Sequence, residues 1–303
     1  MRPHMRARVL RVSGQNCLVE IEGEQVSCRI RGRLKEGRRS MNSPVIAGDW
    51  AELAGDPQGG YVIDRIYDRQ THFTRASSGA RPLEQLVAVN IQQLIIIASA
   101  RQPALRLGFI DRAIVAALSG HLAPVIVLNK VDLDPKERYR IKLDVYAQLG
   151  YPLLFTSAEN GRGIEALRQL LEGTESAIVG QSGVGKSSLL NQIEPGLALR
   201  TREIMAQHDR GRHTTTAVQL YPLSGGGYVA DTPGIKELHL SGIQPFELVH
   251  YFDDLAPFID RCRFRDCTHL HEPDCGLIAA LEEGTCSQVR YESYVRIRES
   301  LSK

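Results

Sequence analysis

The segment Gly180-Gln181-Ser182-Gly183-Val184-Gly185-Lys186-Ser187 has the pattern G-x-x-x-x-G-K-S, and Ser188 follows it. These residue types suit the holding of a phosphate chain. Glycines let the backbone wrap the phosphates with its N–H groups pointing inward, and a following helix adds its positive end. Lys186 is expected to reach the β- and γ-phosphates, and Ser187 to ligate Mg2+. Asn129-Lys130-Val131-Asp132 carries the chemistry of a guanine reader. Its Asp132 carboxylate accepts from the N1–H and 2-amino groups of guanine, a donor pair that adenine lacks. Leaving such a buried group unpaired costs about 1–3 kcal/mol, enough to discriminate between bases. Asn129 is expected on the major-groove edge of the base, Lys130 over the ring and the loop, and Ser157-Ala158 to offer a backbone N–H to the guanine carbonyl.

Two further segments have the character of switches. In Asp231-Thr232-Pro233-Gly234, Asp231 is placed for the Mg2+ side, and the Gly234 N–H bonds a γ-phosphate only while one is present. Gly211 to Thr216 reads G-R-H-T-T-T, in which Thr214 or Thr215 completes Mg2+ coordination, with Thr215 favoured. Ile235 follows Gly234 where many GTPases carry a water-orienting Gln. His213 is the substitute candidate for the attacking water, against a plain contact to RNA or phosphate. With no such Gln and no clear arginine finger in the chain, slow intrinsic turnover is expected.

The order of these motifs is inverted. In an ordinary GTPase the phosphate loop opens the domain and the guanine reader follows; here residue 129 precedes residue 180. One site must therefore be assembled from a circularly permuted chain.

Cys262, Cys267, His269 and Cys275 place three thiols and an imidazole within fourteen positions, the donor set of tetrahedral Zn2+. Four protein ligands leave no open position, so the site is expected to be structural. His271 competes with His269, and Cys286, Cys17 and Cys28 read as plain buried thiols.

The elements that must carry these groups follow from pattern. In 303 residues, 43% are hydrophobic and 24% charged, as in soluble globular proteins, and no apolar run nears the roughly 18 residues of a membrane span. A cytoplasmic protein without membrane contact is expected. Residues 1–72 read as about five short strands, a small β-barrel of the OB type, although an SH3-like barrel has the same signature. Residues 70–85, with Ser77-Ser78-Gly79 and Pro82, read as a linker. From Val87 strands and helices alternate, giving an α/β domain over 73–240 with ligands at the carboxyl ends of a mostly parallel sheet. Residues 241–303 read as a mostly helical zinc-binding domain.

Net charge is only +2, but residues 1–39 hold ten Lys/Arg against four Glu. Arg29, Arg31 and Arg33 recur at period two, and with Lys35, Arg38 and Arg39 they form a candidate RNA-binding edge if the strand reaches that far. A solvated charged face is the alternative. Arg290, Arg296 and Arg298 with Tyr291 and Tyr294 make either a second RNA contact or a packed amphipathic helix.

Taken together, the G-Q-S-G-V-G-K-S-S loop, G-R-H-T-T-T, D-T-P-G, the basic barrel in front and the Cys/His segment behind resemble the circularly permuted GTPases of small-ribosomal-subunit biogenesis. The resemblance spans essentially the whole chain. It implies an OB barrel, a permuted GTPase domain and a zinc domain in that order, and a monomer binding GTP, GDP, the small ribosomal subunit and its rRNA. It implies turnover stimulated by that subunit, and the same four zinc ligands. A GTP-dependent RNA-binding switch acting on a different RNA would share the nucleotide site.

Overall fold

A computed structural model describes residues 5–35, 44–56, 59–76, 84–197, 218–231 and 238–302. Strands β1 (Met5–Ser13), β2 (Asn16–Ile21), β3 (Glu24–Ile30), β4 (Trp50–Gly55) and β5 (Tyr61–Ile66) form the N-terminal unit. They hydrogen-bond in the order β1-β2-β3-β5-β4, and β4 returns to β1, so the sheet closes. The β3–β5 pair is parallel and the other pairs are antiparallel, a five-stranded barrel of the OB type. Period-two geometry divides β1 between two cores. Ala7 and Val9 fill the barrel, while Leu10 points outward into the neighbouring α/β core.

The segment expected to be a linker contains structure. β6 (His72–Ala76) and β7 (Glu84–Val89) pair as an antiparallel ribbon. Phe73 and Ala88 are fully buried. The turn-forming residues between them hid two strands whose apolar side chains have a core to join.

The α/β sheet runs β10-β9-β8-β11-β13-β12, and β12 meets β1, so the sheet is continuous with the barrel. Its strands are β8 (Gln93–Ser99), β9 (Ala123–Asn129), β10 (Leu153–Phe155), β11 (Glu175–Gly180), β12 (Gln219–Pro222) and β13 (Tyr228–Asp231). All pairs are parallel except β12–β13. Every residue of β8 is buried, as a central parallel strand requires. Its alternate residues serve opposite faces: Leu94 and Ile96 join one core, and Ile95 and Ile97 the other. The first core lies under α1 (Leu107–Ser119) and α2 (Tyr139–Gln148), the second under α3 (Ile164–Leu171) and α4 (Lys186–Ile193). The chain runs outward from β8 through β9 to β10, then returns to place β11 on the other side of β8. That reversal marks the crevice at the carboxyl ends of β8 and β11 as the place for a ligand.

The C-terminal unit contains two short 3-10 turns, then α5 (Gly276–Glu282) and α6 (Gln288–Leu301). Its core takes in Val115 of α1. Among the described residues, no helix is long and apolar enough to cross a membrane.

Candidate nucleotide and metal sites

Strand β11 delivers Gly180 and α4 begins at Lys186, so the glycine-rich loop spans a strand and a helix at the predicted crevice. Gly180 sits where a Cβ would lie 2.5 Å from the Ile97 carbonyl oxygen of β8. Gly185 caps α4 at φ +97°, and a Cβ there would lie 2.3 Å from Asn129 Nδ2. A side chain at either position would push the loop off its neighbours. Lys186 folds over the loop, its Nζ donating to the carbonyls of Gly180 at 2.8 Å and Gln181 at 3.1 Å. Ser182 and Gly183 are exposed, Val184 is buried, and Gln181, Ser187 and Ser188 are half-buried.

The guanine motif meets this loop directly. Asn129 ends β9, is 1% exposed, and donates from Nδ2 to the Val184 carbonyl at 2.9 Å. Its Oδ1 accepts from the Ala158 N–H at 3.2 Å and the Thr156 hydroxyl at 3.3 Å. One carboxamide thus joins the phosphate loop, the guanine motif and the Ser157-Ala158 segment. The amide nitrogen carries two hydrogens, and the bond to Val184 uses one. Lys130 takes a left-handed conformation, φ +60°, and its Nζ donates to the Gln102 carbonyl at 2.6 Å. Positive φ in a long side chain is uncommon and concentrates at functional turns. The Val131 N–H is held by the Thr156 carbonyl at 3.2 Å, which leaves Asp132 exposed at the rim of a short 3-10 turn. Ser157 is fully buried. Gln102 had no motif to betray it, since it acts through a backbone carbonyl.

Asp231 ends β13, paired in register with Ile178 of β11 two residues before the loop. Burial raises its carboxyl pKa above the usual value, and the Lys186 ammonium opposes that rise. The candidates His213, Thr215 and Gly234 lie outside the described residues, as do Arg38 and Arg39. A cavity of about 410 Å3, lined by Gln102, Leu105, Asp134 and Arg138 among others, lies beside the guanine loop and contains no phosphate-loop residue.

In the C-terminal unit, donor atoms of Cys262, Cys267, His269 and Cys275 all lie within 4.8 Å of one another. Cys262 Sγ is 3.4 Å from His269 Nδ1 and 3.9 Å from Cys275 Sγ, and Cys275 Sγ is 3.5 Å from that nitrogen. Tetrahedral zinc, with bonds of about 2.3 Å to sulfur and about 2.0 Å to nitrogen, has donor–donor edges of about 3.5–3.8 Å. The four residues fit a closed metal centre. Burial lowers the His269 pKa and favours the neutral imidazole that ligates metals. The Gly276 N–H donates to Cys262 Sγ at 3.3 Å, an outer bond of the kind that steadies thiolate ligands. His271 is exposed and outside the cluster.

The structure bears on two readings of basic residues. Strand β3 stops at Ile30 and a 3-10 turn takes up Gly32–Lys35, so the period-two face does not continue through Arg31 to Arg33 and Lys35. Arg29 is paired with Asp56 and Arg31 with Asp64. Arg290 is 1% exposed between Asp111 and Asp254, and Tyr294 is equally buried, so α6 is a packed helix there rather than an RNA surface.

A closed barrel, a permuted P-loop sheet and a Cys3His cluster define the class: a circularly permuted GTPase flanked by a barrel and a unit whose cluster could hold a metal ion. A family model described as RsgA GTPase matches residues 66–241. The chain belongs to the RsgA GTPase family. It is 38% identical over 301 residues to the small ribosomal subunit biogenesis GTPase RsgA of Thermotoga maritima, covering 97% of this chain and 96% of that one. To the Gemmatimonas aurantiaca protein of the same name it is 40% identical over 284 residues, 92% of each chain. The crystal structure of YjeQ from Thermotoga maritima superimposes with a TM-score of 0.78 at 35% identity, over 99% of both chains. YloQ, a circularly permuted GTPase, gives 0.74 at 26% identity over 99% of this chain and 96% of that one.

Proposed function

We propose that the chain hydrolyses GTP to GDP and phosphate in late maturation of the small ribosomal subunit, bound to that subunit through its rRNA and stimulated by it. The observation that carries this reading is the Asn129 carboxamide, which ties the guanine motif to the phosphate loop across 55 residues of sequence. Asp132 selects guanine, with Asn129, Lys130 and Ala158 around the base. The loop from Gly180 to Ser188 holds the phosphates, and Lys186 moves from the loop carbonyls to the β- and γ-oxygens. Mg2+ supplies charge neutralisation at the phosphates when bound, and Ser187 and Thr215 would hold it on the side of Asp231. Gly234 senses the γ-phosphate, and His213 orients the attacking water when the protein is bound to the subunit. Zn2+ at the four-residue cluster is structural.

The division of labour follows the three units: residues 1–72 for RNA, 73–240 for the nucleotide, and 241–303 for zinc. The protein acts as a cytoplasmic monomer. GTP turnover measured with and without purified small subunits tests the reading. Stimulation by the subunit, absence of comparable ATP turnover, and its loss in His213→Ala are expected. Preference for ATP, or turnover indifferent to the subunit, would overturn it; stimulation retained in His213→Ala would overturn only the role of that side chain.

A further inference from the structure

The face of the barrel across β1, β4 and the end of β5 carries a ladder of alternating guanidinium groups and aromatic rings. The Arg65 guanidinium lies 5.7 Å from the ring centroid of Tyr67, and that of Arg6 lies 5.5 Å from Tyr67 and 4.2 Å from Trp50. Arg8 continues it, 4.8 Å from Trp50 and 5.8 Å from Tyr228 of β13. The inner end is anchored: Arg8 is 2% exposed, and its Nη2 donates to the Asn90 carbonyl at 2.8 Å. At the outer end Arg6 and Arg65 are exposed, with Trp50 and Tyr67 half-buried between them. Glu52 is the cross-strand neighbour of both arginines, yet among the described residues neither Arg6 nor Arg65 makes an ion pair with a carboxylate. Arg29 at the end of β3 and Arg31 just after it are paired with Asp56 and Asp64.

We propose that this face is where the barrel binds single-stranded RNA, with Arg6 and Arg65 taking backbone phosphates and the exposed parts of Trp50 and Tyr67 packing against an unpaired base. The inference rests on the reading that the protein binds RNA and gives that contact an address. Cations stacked on rings are held in place before the ligand arrives, so less side-chain freedom is lost on binding. Rings interleaved with cations match a polymer that alternates flat bases with anionic phosphates. An acidic peptide would use only the charges.

Trp50 is the chain's single tryptophan, so its emission reports on this face directly. The full-length protein is titrated with a mixed-sequence single-stranded oligoribonucleotide, and separately with polyglutamate, over a range of salt. RNA is expected to change Trp50 emission and to bind more tightly than polyglutamate. The double variant R6Q/R65Q is expected to bind RNA more weakly, with the slope of log affinity against log salt smaller by about 1.4, at about 0.7 per lost phosphate contact. R6K/R65K should recover most of that slope, which separates charge loss from misfolding, and R29Q/R31Q should leave it unchanged. RNA binding by R6Q/R65Q that equals wild type in affinity and slope overturns this assignment alone, as does polyglutamate binding as tightly as RNA. Failure of the wild type to bind any RNA, free or within the small subunit, would overturn the RNA-binding reading itself.

Discussion

Asn129 Nδ2 donates to the Val184 carbonyl at 2.9 Å, and through this bond two motifs in reversed sequence order become one site. The same side chain accepts from Ala158 and Thr156, so it is the shared fastener of three loops. Replacing it would leave the buried Val184 carbonyl without its partner, at about 1–3 kcal/mol, and would free the half-buried Ala158 N–H. Asn129→Ala is therefore expected to weaken GDP binding by at least tenfold. A fluorescent GDP analogue measures it, and unchanged affinity would show that the three loops hold their places without the carboxamide.

Gly185 has both a left-handed backbone and no room for a Cβ. Gly185→Ala must displace either Asn129 or the start of α4. Loss of GTP binding together with a lowered melting temperature is expected. Normal binding would mean that the loop relaxes around the added methyl.

Arg290 ties α6 to α1. Its guanidinium is paired with Asp111, which also accepts from Tyr146 Oη at 2.7 Å, and with Asp254 at 3.2 Å. Burial opposes the arginine's charge, but the two carboxylates outweigh it and raise its pKa. Arg290→Met leaves the buried Asp111 without its counter-ion, at a cost of about 3–5 kcal/mol. Thermal unfolding should show this as a large fall in melting temperature, partly regained in R290M/D111N. An unshifted midpoint would mean that the pair contributes nothing net.

The cluster of Cys262, Cys267, His269 and Cys275 predicts one metal ion per chain by elemental analysis. Cys275→Ser is expected to lose the metal and to unfold the C-terminal unit, because cluster and core share Cys275. Cys286→Ser should keep the metal, since Cys286 lies outside the cluster. Stoichiometric metal in Cys275→Ser would refute the ligand set.

The chemistry of the site and the class of each unit were readable along the chain, because they reside in local features. A phosphate loop between a strand and a helix, four soft donors in fourteen positions, and apolar runs with turns between them are each contained in a short window. Their reversed order already implied permutation. Partnership between distant residues was not readable, because hydrophobic period and motif spacing carry no information about which side chains meet across hundreds of positions. Asp111 is buried on α1, and its partner Arg290 lies 179 residues away. Arg29 and Arg31 looked free until folding brought Asp56 and Asp64 beside them, and Arg6, Trp50 and Tyr67 became one surface only when β4 closed onto β1. Burial and charge pairing are decided by what the fold brings opposite a residue, and only the closed barrel and packed helices contain that answer.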